Sequence, residues 1–170
     1  MIYFLNGIGT FPKYVRQFIF FFTLALAFGY FSGFKFLMGN TDLSSSGVEA
    51  HYNGNENDEA AEKMIFKKTE NEILTTIHGH AVSFSLIFLA LGSILLTLPI
   101  NRKLKRFLLI EPFISIIFTF GGIWLLWKEI IWFKYVVMVS GTLLTIAFLT
   151  SVLLIFWHTI KRQTISTDID

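Results

Sequence analysis

The stretch that decides the fold class is Tyr135–Trp157, which reads YVVMVSGTLLTIAFLTSVLLIFW. It contains no charged residue and is longer than the roughly 20 residues that a helix needs to cross the hydrocarbon core of a bilayer. Its apolar residues are continuous and do not alternate with polar ones, which favours a membrane helix over a strand of a membrane barrel. The stretch therefore predicts an integral membrane protein.

Three further apolar segments have a similar length, at residues 18–38, 77–98 and 107–127. The composition agrees with four spans, because the chain is 54% hydrophobic and 15% charged, whereas soluble domains have about 45–50% apolar and about 25% charged residues. We predict a single all-α membrane domain over residues 1–170. Its four spans form a helix bundle, and residues 39–71 form a structured, partly helical loop between the first two spans.

The first span also shares features with a secretory signal peptide. Lys13 and Arg16 precede it, and Ala25-Leu26-Ala27 resembles a cleavage site. The apolar run nevertheless continues past Ala27 as far as Phe36. We predict an uncleaved span, with a cleaved signal as the alternative.

Basic residues concentrate at one end of the predicted bundle. Asn101–Arg106 carries four positive charges, Lys13 and Arg16 precede the first span, and Lys161 and Arg162 follow the last. Because cytoplasmic loops are enriched in lysine and arginine, this pattern predicts cytoplasmic N- and C-termini and an outside position for loop 39–71. The basic residues suit anionic lipid headgroups of the bilayer, and we expect no nucleic-acid partner.

Several chemistries are excluded by what the sequence lacks. The chain has no cysteine, so it holds no disulfide, thiolate metal site or iron–sulfur cluster of its own. It also has no phosphate-binding glycine loop, no His-Glu-x-x-His motif and no serine-nucleophile motif. These absences favour a protein without catalytic activity over an enzyme.

Local signals predict several helix boundaries around the loop. A short helix is expected between Ser44 and Gly54, and residues 59–64 are good helix formers. Thr69-Glu70-Asn71-Glu72 fits a capping box, so the helix of the second span should begin near Glu70 and end near Pro99.

The candidate site is centred on His78-Gly79-His80, where the acidic loop meets the second span. Residues two apart on a helix point about 200° apart, so this pair cannot chelate one ion by itself. We therefore predict a shared metal site that recruits the loop: its ligands would be His51, His78, His80 and Glu49. Imidazole suits zinc, copper, nickel and iron, so the sequence does not fix the transition metal.

Haem is the other cofactor that these residues suggest. His78 or His80 would be an axial ligand, with Met138 or a second histidine opposite. The predicted function is then a metal- or haem-binding accessory to a respiratory or metal-handling complex. The alternative is a cofactor-free structural or assembly subunit, in which the histidines bond loop carboxylates and fasten the loop to the bundle. In either case other membrane-protein subunits are expected partners.

Small residues lie in the same half of every predicted span as the histidine pair. They are Gly29 and Gly33, Gly79, Gly121-Gly122, and Ser140-Gly141. Small residues permit close helix packing in membranes, which is the first interpretation. The second is a cavity for a flat cofactor.

Three stretches together resemble a family of small, uncharacterised bacterial four-span inner-membrane proteins. They are Gly29-Tyr30-Phe31-Ser32-Gly33, the segment GVEAHYNGNE at residues 47–56, and His78-Gly79-His80. The resemblance runs from the first span to the second. It implies a bacterial inner (plasma) membrane and adds interest to Glu49, His51, His78 and His80, but it supplies no activity.

Overall fold

The computed structural model describes residues 7–56, 61 and 63–161. This part of the chain is helical and contains no strand. A short 3-10 turn at Ile8–Thr10 is followed by five α-helices: α1 (Lys13–Thr41), α2 (Ser45–Asn53), α3 (Glu70–Leu96), α4 (Arg102–Trp127) and α5 (Phe133–Ile160).

Four of these helices, α1, α3, α4 and α5, are long and apolar enough to cross a membrane. They cover the four predicted apolar segments apart from residues 97 and 98, so the predicted all-α membrane bundle is confirmed. The helices are longer than the apolar runs at one or both ends. α3, for example, begins seven residues before the predicted span because its first two turns are polar.

The predicted helix boundaries around the loop are confirmed by their caps. Ser44 Oγ accepts the Gly47 amide at 2.9 Å, and α2 stops before Gly54, whose φ is 81°. Thr69 and Glu72 form the expected reciprocal capping box at the start of α3. Half of the predicted helical segment 59–64 lies outside the described residues, and Ala61, Lys63 and Met64 are not helical.

Three of the long helices, α3, α4 and α5, form the core of the bundle, and α1 packs mainly on α5. Two glycines let the core helices approach closely. A Cβ at Gly122 would lie 3.0 Å from Val137 Cγ2 of α5, and one at Gly92 would lie 3.1 Å from Leu109 Cδ2 of α4. These two positions fit the packing interpretation of small membrane residues.

α1 is attached to α5 at two levels. At one end Arg16 donates hydrogen bonds to the carbonyl of Thr159, at 3.0 Å from Nε and 2.5 Å from Nη2. Further along, Tyr30 donates to Thr145 Oγ1 at 2.8 Å and stacks on Phe148 with ring centroids 3.9 Å apart. The peripheral helix is therefore held by specific polar and aromatic contacts.

The two ends of the bundle differ in character. We call the end that carries Arg16 and the start of α4 the basic end. There the 3-10 turn buries Ile8 completely and Gly7 lies against Pro99. The opposite end, which α2 covers, is called the capped end.

Candidate functional site

The capped end is formed by α2, which lies across the ends of α1, α4 and α5. Gly47 makes this approach possible, because a Cβ there would lie only 2.0 Å from the Thr41 carbonyl oxygen. Val48 and Tyr52 are buried beneath α2. Burial raises the pKa of Tyr52 to about 12, so its hydroxyl stays protonated under ordinary conditions.

Two polar contacts join α2 directly to the core helices. Lys134 Nζ, at the start of α5, lies 2.7 Å from Glu49 Oε2 in a half-buried ion pair. Asn53 Nδ2 donates to the carbonyl of Leu126 at 2.8 Å, near the end of α4. Both contacts link the capping helix to the α4–α5 turn.

The segment between α2 and α3 is fastened to the same turn. Trp127 Nε1 donates to the carbonyl of Lys68 at 2.8 Å, and Lys67 Nζ lies 2.6 Å from Glu129 Oε1. The hydrogen bond from Lys67, followed by its charge, lowers the pKa of Glu129. Lys128 lies over the Trp127 ring at 4.5 Å, which adds a cation–π contact. The loop therefore folds back onto the bundle at α4 and α5.

The candidate metal ligands on α2 already have neighbours within the chain. Glu49 is paired with Lys134. The half-buried His51 ring meets Tyr52 edge-on, with centroids 4.8 Å apart. Burial, followed by the charge of Lys68, lowers the pKa of His51, which favours its neutral form at neutral pH.

The two histidines of α3 lie in different surroundings, as their helical spacing predicts. His80 Nδ1 is 3.0 Å from the carbonyl of Thr76 on its own helix, and its ring packs near Phe84 and Phe120. His78 is exposed and has no hydrogen-bond or ring partner in the described part of the chain. Met138, the proposed haem ligand, is half-buried and packs against the hydrophobic core.

The described residues do not bring three histidine, aspartate or glutamate side chains within reach of one ion. The main neighbours of α2 are α1, α4 and α5 rather than α3, which carries His78 and His80. The metal site therefore stays a prediction, and it would need ligands from elsewhere or a rearranged cap.

The residues that fasten the loop were not recognised as a set from the sequence. The alternative function assigned this role to the histidines, whereas in the described structure the contacts come from Glu49, Asn53, Lys67, Trp127 and Lys134. A usable signal was present: an acidic loop and a turn bordered by two lysines, Lys128 and Lys134, are predicted at the same depth. Their pairing follows from charge complementarity, which does not specify individual partners.

Most of the small residues in the capped half do not pack within the chain. A Cβ at Gly29, Gly33, Gly79, Gly121 or Gly141 would meet no atom within 4 Å. Of this group, Gly122 lies against α5, and Ser140 contacts Thr119 of α4 with their Oγ atoms 2.7 Å apart. The capped half of α1 and α3 therefore presents open surface, with His78 and Gly79 exposed on α3.

Comparison with known proteins gives one finding of similarity. A family model described as a transmembrane helical domain matches residues 42–166, which include α2 to α5 and leave out α1. No curated protein and no solved structure matches the chain. The matched region contains the three long core helices and the capping helix α2. The four helices of membrane-spanning length agree with the description of the family. Since the match covers well over half of its length, the chain belongs to this family of transmembrane helical domains, Aq_1264_TM.

Proposed function

We propose that this single-domain membrane protein is a cofactor-free structural or assembly subunit of a membrane complex. The observation that carries the proposal is the contrast within the capped half. Charged side chains there form two ion pairs, Glu49–Lys134 and Lys67–Glu129. The small residues of α1 and α3 at the same level remain unpacked.

Open small residues on a membrane helix support a role in association. Lipid tails offer no hydrophobic gain for helix contact, so membrane helices associate through close packing, which small residues permit. Gly29 and Gly33 lie one turn apart on α1 and are exposed. A partner helix could pack closely against α1 at these two glycines because they carry no side chain. The subunits that associate with this chain are expected to use that face.

The orientation belongs to the same proposal. We place the chain in a bacterial inner membrane with both termini cytoplasmic and the capped end outside, because lysine and arginine concentrate at the basic end. The cysteine-free sequence permits a direct test with single cysteines. An impermeant maleimide should label Ser46→Cys on intact cells, and Asn101→Cys only after permeabilisation. The reverse pattern would refute this orientation.

A metal- or haem-binding accessory role in a respiratory or metal-handling complex is the second candidate, and the geometry of His80 favours it. Its Nδ1 is placed to donate to the Thr76 carbonyl, which would leave Nε2 free. Metal-bound histidines are commonly oriented in this way. Glu49 or His51 would have to leave its present contacts to join His80, so a partner chain is the simpler source of further ligands.

One purification distinguishes the two candidates. The protein is extracted from native membranes in mild detergent, and its absorption spectrum, metal content and size on a native gel are measured. The structural role predicts no Soret band, well under one metal per chain, and migration as a larger complex that Gly33→Leu disrupts. Migration as a free chain would contradict it.

Histidine variants provide the matched control. His158 Nδ1 lies 2.8 Å from the carbonyl of Leu154, so it has the same local geometry as His80 but lies near the end of α5, at the basic end. A Soret band or stoichiometric metal that His80→Gln abolishes and His158→Gln retains would establish the accessory role. The absence of a Soret band and of stoichiometric metal from the wild type and from both variants would support the cofactor-free subunit.

A further inference from the structure

A shallow, largely open groove runs along α4 at the basic end of the bundle. It is lined by Lys103, Arg106, Phe107, Ile110, Glu111 and Ile114. These residues recur at the three- and four-residue spacing of one helical face. The two cations lie at the mouth of the groove, and the apolar side chains follow along the helix towards the middle of the bundle.

The two cations at the mouth are unpaired, unlike others nearby. Lys105 donates to the carbonyl of Leu96 at 3.2 Å, and Arg16 bonds the end of α5. The side chains of Lys103 and Arg106 have no hydrogen-bond or ion-pair partner within the described residues. They are therefore available to a ligand.

Glu111, which also lines the groove, does not pair with either cation. Its Oε1 accepts a hydrogen bond from Ser115, and its Oε2 is buried without a partner in the described structure. Glu111 lies five positions after Arg106, or about 7.5 Å further along the helix axis. The carboxyl group therefore lies deeper than the mouth and leaves the guanidinium free.

The apolar part of the groove faces away from the protein core. Phe107, Ile110 and Ile114 are 42%, 47% and 49% exposed, although they belong to a helix of membrane-spanning length. In a bilayer this surface contacts acyl chains. Two unpaired cations directly above it match a molecule that joins an anionic headgroup to an acyl chain.

We propose that this groove binds one anionic phospholipid. The phosphate lies against Lys103 and Arg106, and an acyl chain follows Phe107, Ile110 and Ile114. Arginine suits the phosphate because its planar guanidinium donates two parallel hydrogen bonds. Clusters of lysine and arginine at a membrane boundary recognise anionic headgroups for the same reason. This site is independent of the proposed subunit role.

Native mass spectrometry of the detergent-purified protein tests the site. Dioleoylphosphatidylglycerol and dioleoylphosphatidylcholine are titrated separately, since they share acyl chains and differ in charge. The protein should bind one phosphatidylglycerol in preference to phosphatidylcholine. The double variant Lys103→Gln/Arg106→Gln should weaken the first phosphatidylglycerol by roughly ten- to thirtyfold, from about 1 kcal/mol for each basic residue near the surface. Equal binding of the two lipids would overturn the proposal.

The matched control is Lys13→Gln/Arg102→Gln, which removes the same charge from exposed positions at the same end but outside the groove. It should change the affinity less than threefold. An equal loss in both double variants would show a general charge effect and overturn the site. Arg106→Lys keeps the charge and tests the geometry even if a double variant misfolds. It should weaken binding several-fold, and unchanged binding would contradict the assigned arginine contact.

Glycerol phosphate tests the apolar half of the groove. It carries the phosphate without an acyl chain, so it should not displace the bound phospholipid at millimolar concentration. Displacement would mean that the cations bind phosphate alone, and it would refute the phospholipid assignment.

Discussion

Gly47→Ala is the sharpest test of how the capping helix is held. The new Cβ would lie 2.0 Å from the Thr41 carbonyl oxygen and 2.6 Å from its carbonyl carbon. Real Cβ atoms essentially never approach another atom more closely than 3.0 Å, so α2 must move by about 1 Å or more. Both groups at the clash are backbone, at the end of α1, and neither can rotate away.

The expected cost follows from three contributions. Overpacking costs about 1–3 kcal/mol. Displacing α2 also weakens the hydrogen bond from Asn53 to Leu126, which is worth about 1 kcal/mol. Alanine in place of glycine within a helix returns up to about 1 kcal/mol. The docked position of α2 should therefore lose about 1–3 kcal/mol.

Hydrogen exchange measured by mass spectrometry is the appropriate assay, because α2 is a local unit that can open without unfolding the bundle. A loss of about 1–3 kcal/mol corresponds to an exchange rate in residues 45–53 that rises by roughly 5- to 150-fold. Gly33→Ala is the matched control, since its Cβ would meet no atom within 4 Å. Unchanged exchange in Gly47→Ala, or equal changes in both variants, would refute the steric explanation.

Three further predictions concern other contacts of the bundle. Arg16→Gln should lower the free energy of unfolding by about 1–3 kcal/mol, because the carbonyl of Thr159 loses a charged donor. Lys13→Gln, at an exposed position, should have little effect. Equal melting temperatures for the two variants would contradict this prediction. Tyr30→Phe should cost about 0.5–1.5 kcal/mol through loss of the hydrogen bond to Thr145 while the stacking on Phe148 remains; a stability equal to that of the wild type would show that the bond contributes nothing. Burial lowers the pKa of His51 in the folded protein, so the stability of the cap should be complete above the ordinary pKa of histidine, near 6.5, and should decline as the pH falls towards the lowered value. Hydrogen exchange of α2 between about pH 5 and 7.5 should show this decline in the wild type. The decline should be absent from His51→Gln, and its persistence there would contradict the assignment.

The sequence predicted the fold well because its strongest signals are local. Continuous apolar runs mark the four spans, and the caps at Ser44, Gly54 and Thr69 lie within a few residues of the helix ends that they determine. The different surroundings of His78 and His80 were also expected, since helical geometry alone sets the angle between them.

The site was less predictable because it depends on pairs distant in sequence. Glu49 and Lys134 are separated by 85 positions, and no periodic pattern relates them. The sequence also does not show which glycines pack against a neighbouring helix. Gly121 and Gly122 are adjacent residues of the same type, but of these two only Gly122 faces another helix. Ile8 is fully buried at the basic end. This burial depends on tertiary packing, which the residues adjacent to Ile8 in the sequence do not predict.

Crosslinking between pairs of introduced cysteines tests most directly whether the cap is fastened to α5 or joins a histidine site on α3. Glu49→Cys/Lys134→Cys replaces the ion pair at the start of α5, and His51→Cys/His80→Cys replaces the predicted metal ligands. Both pairs are treated in native membranes with a short thiol-specific crosslinker, against a cysteine-free background. The fastened cap predicts rapid intramolecular crosslinking between positions 49 and 134 and little reaction between positions 51 and 80. Faster crosslinking between positions 51 and 80 would contradict the fastened cap and restore the histidine site.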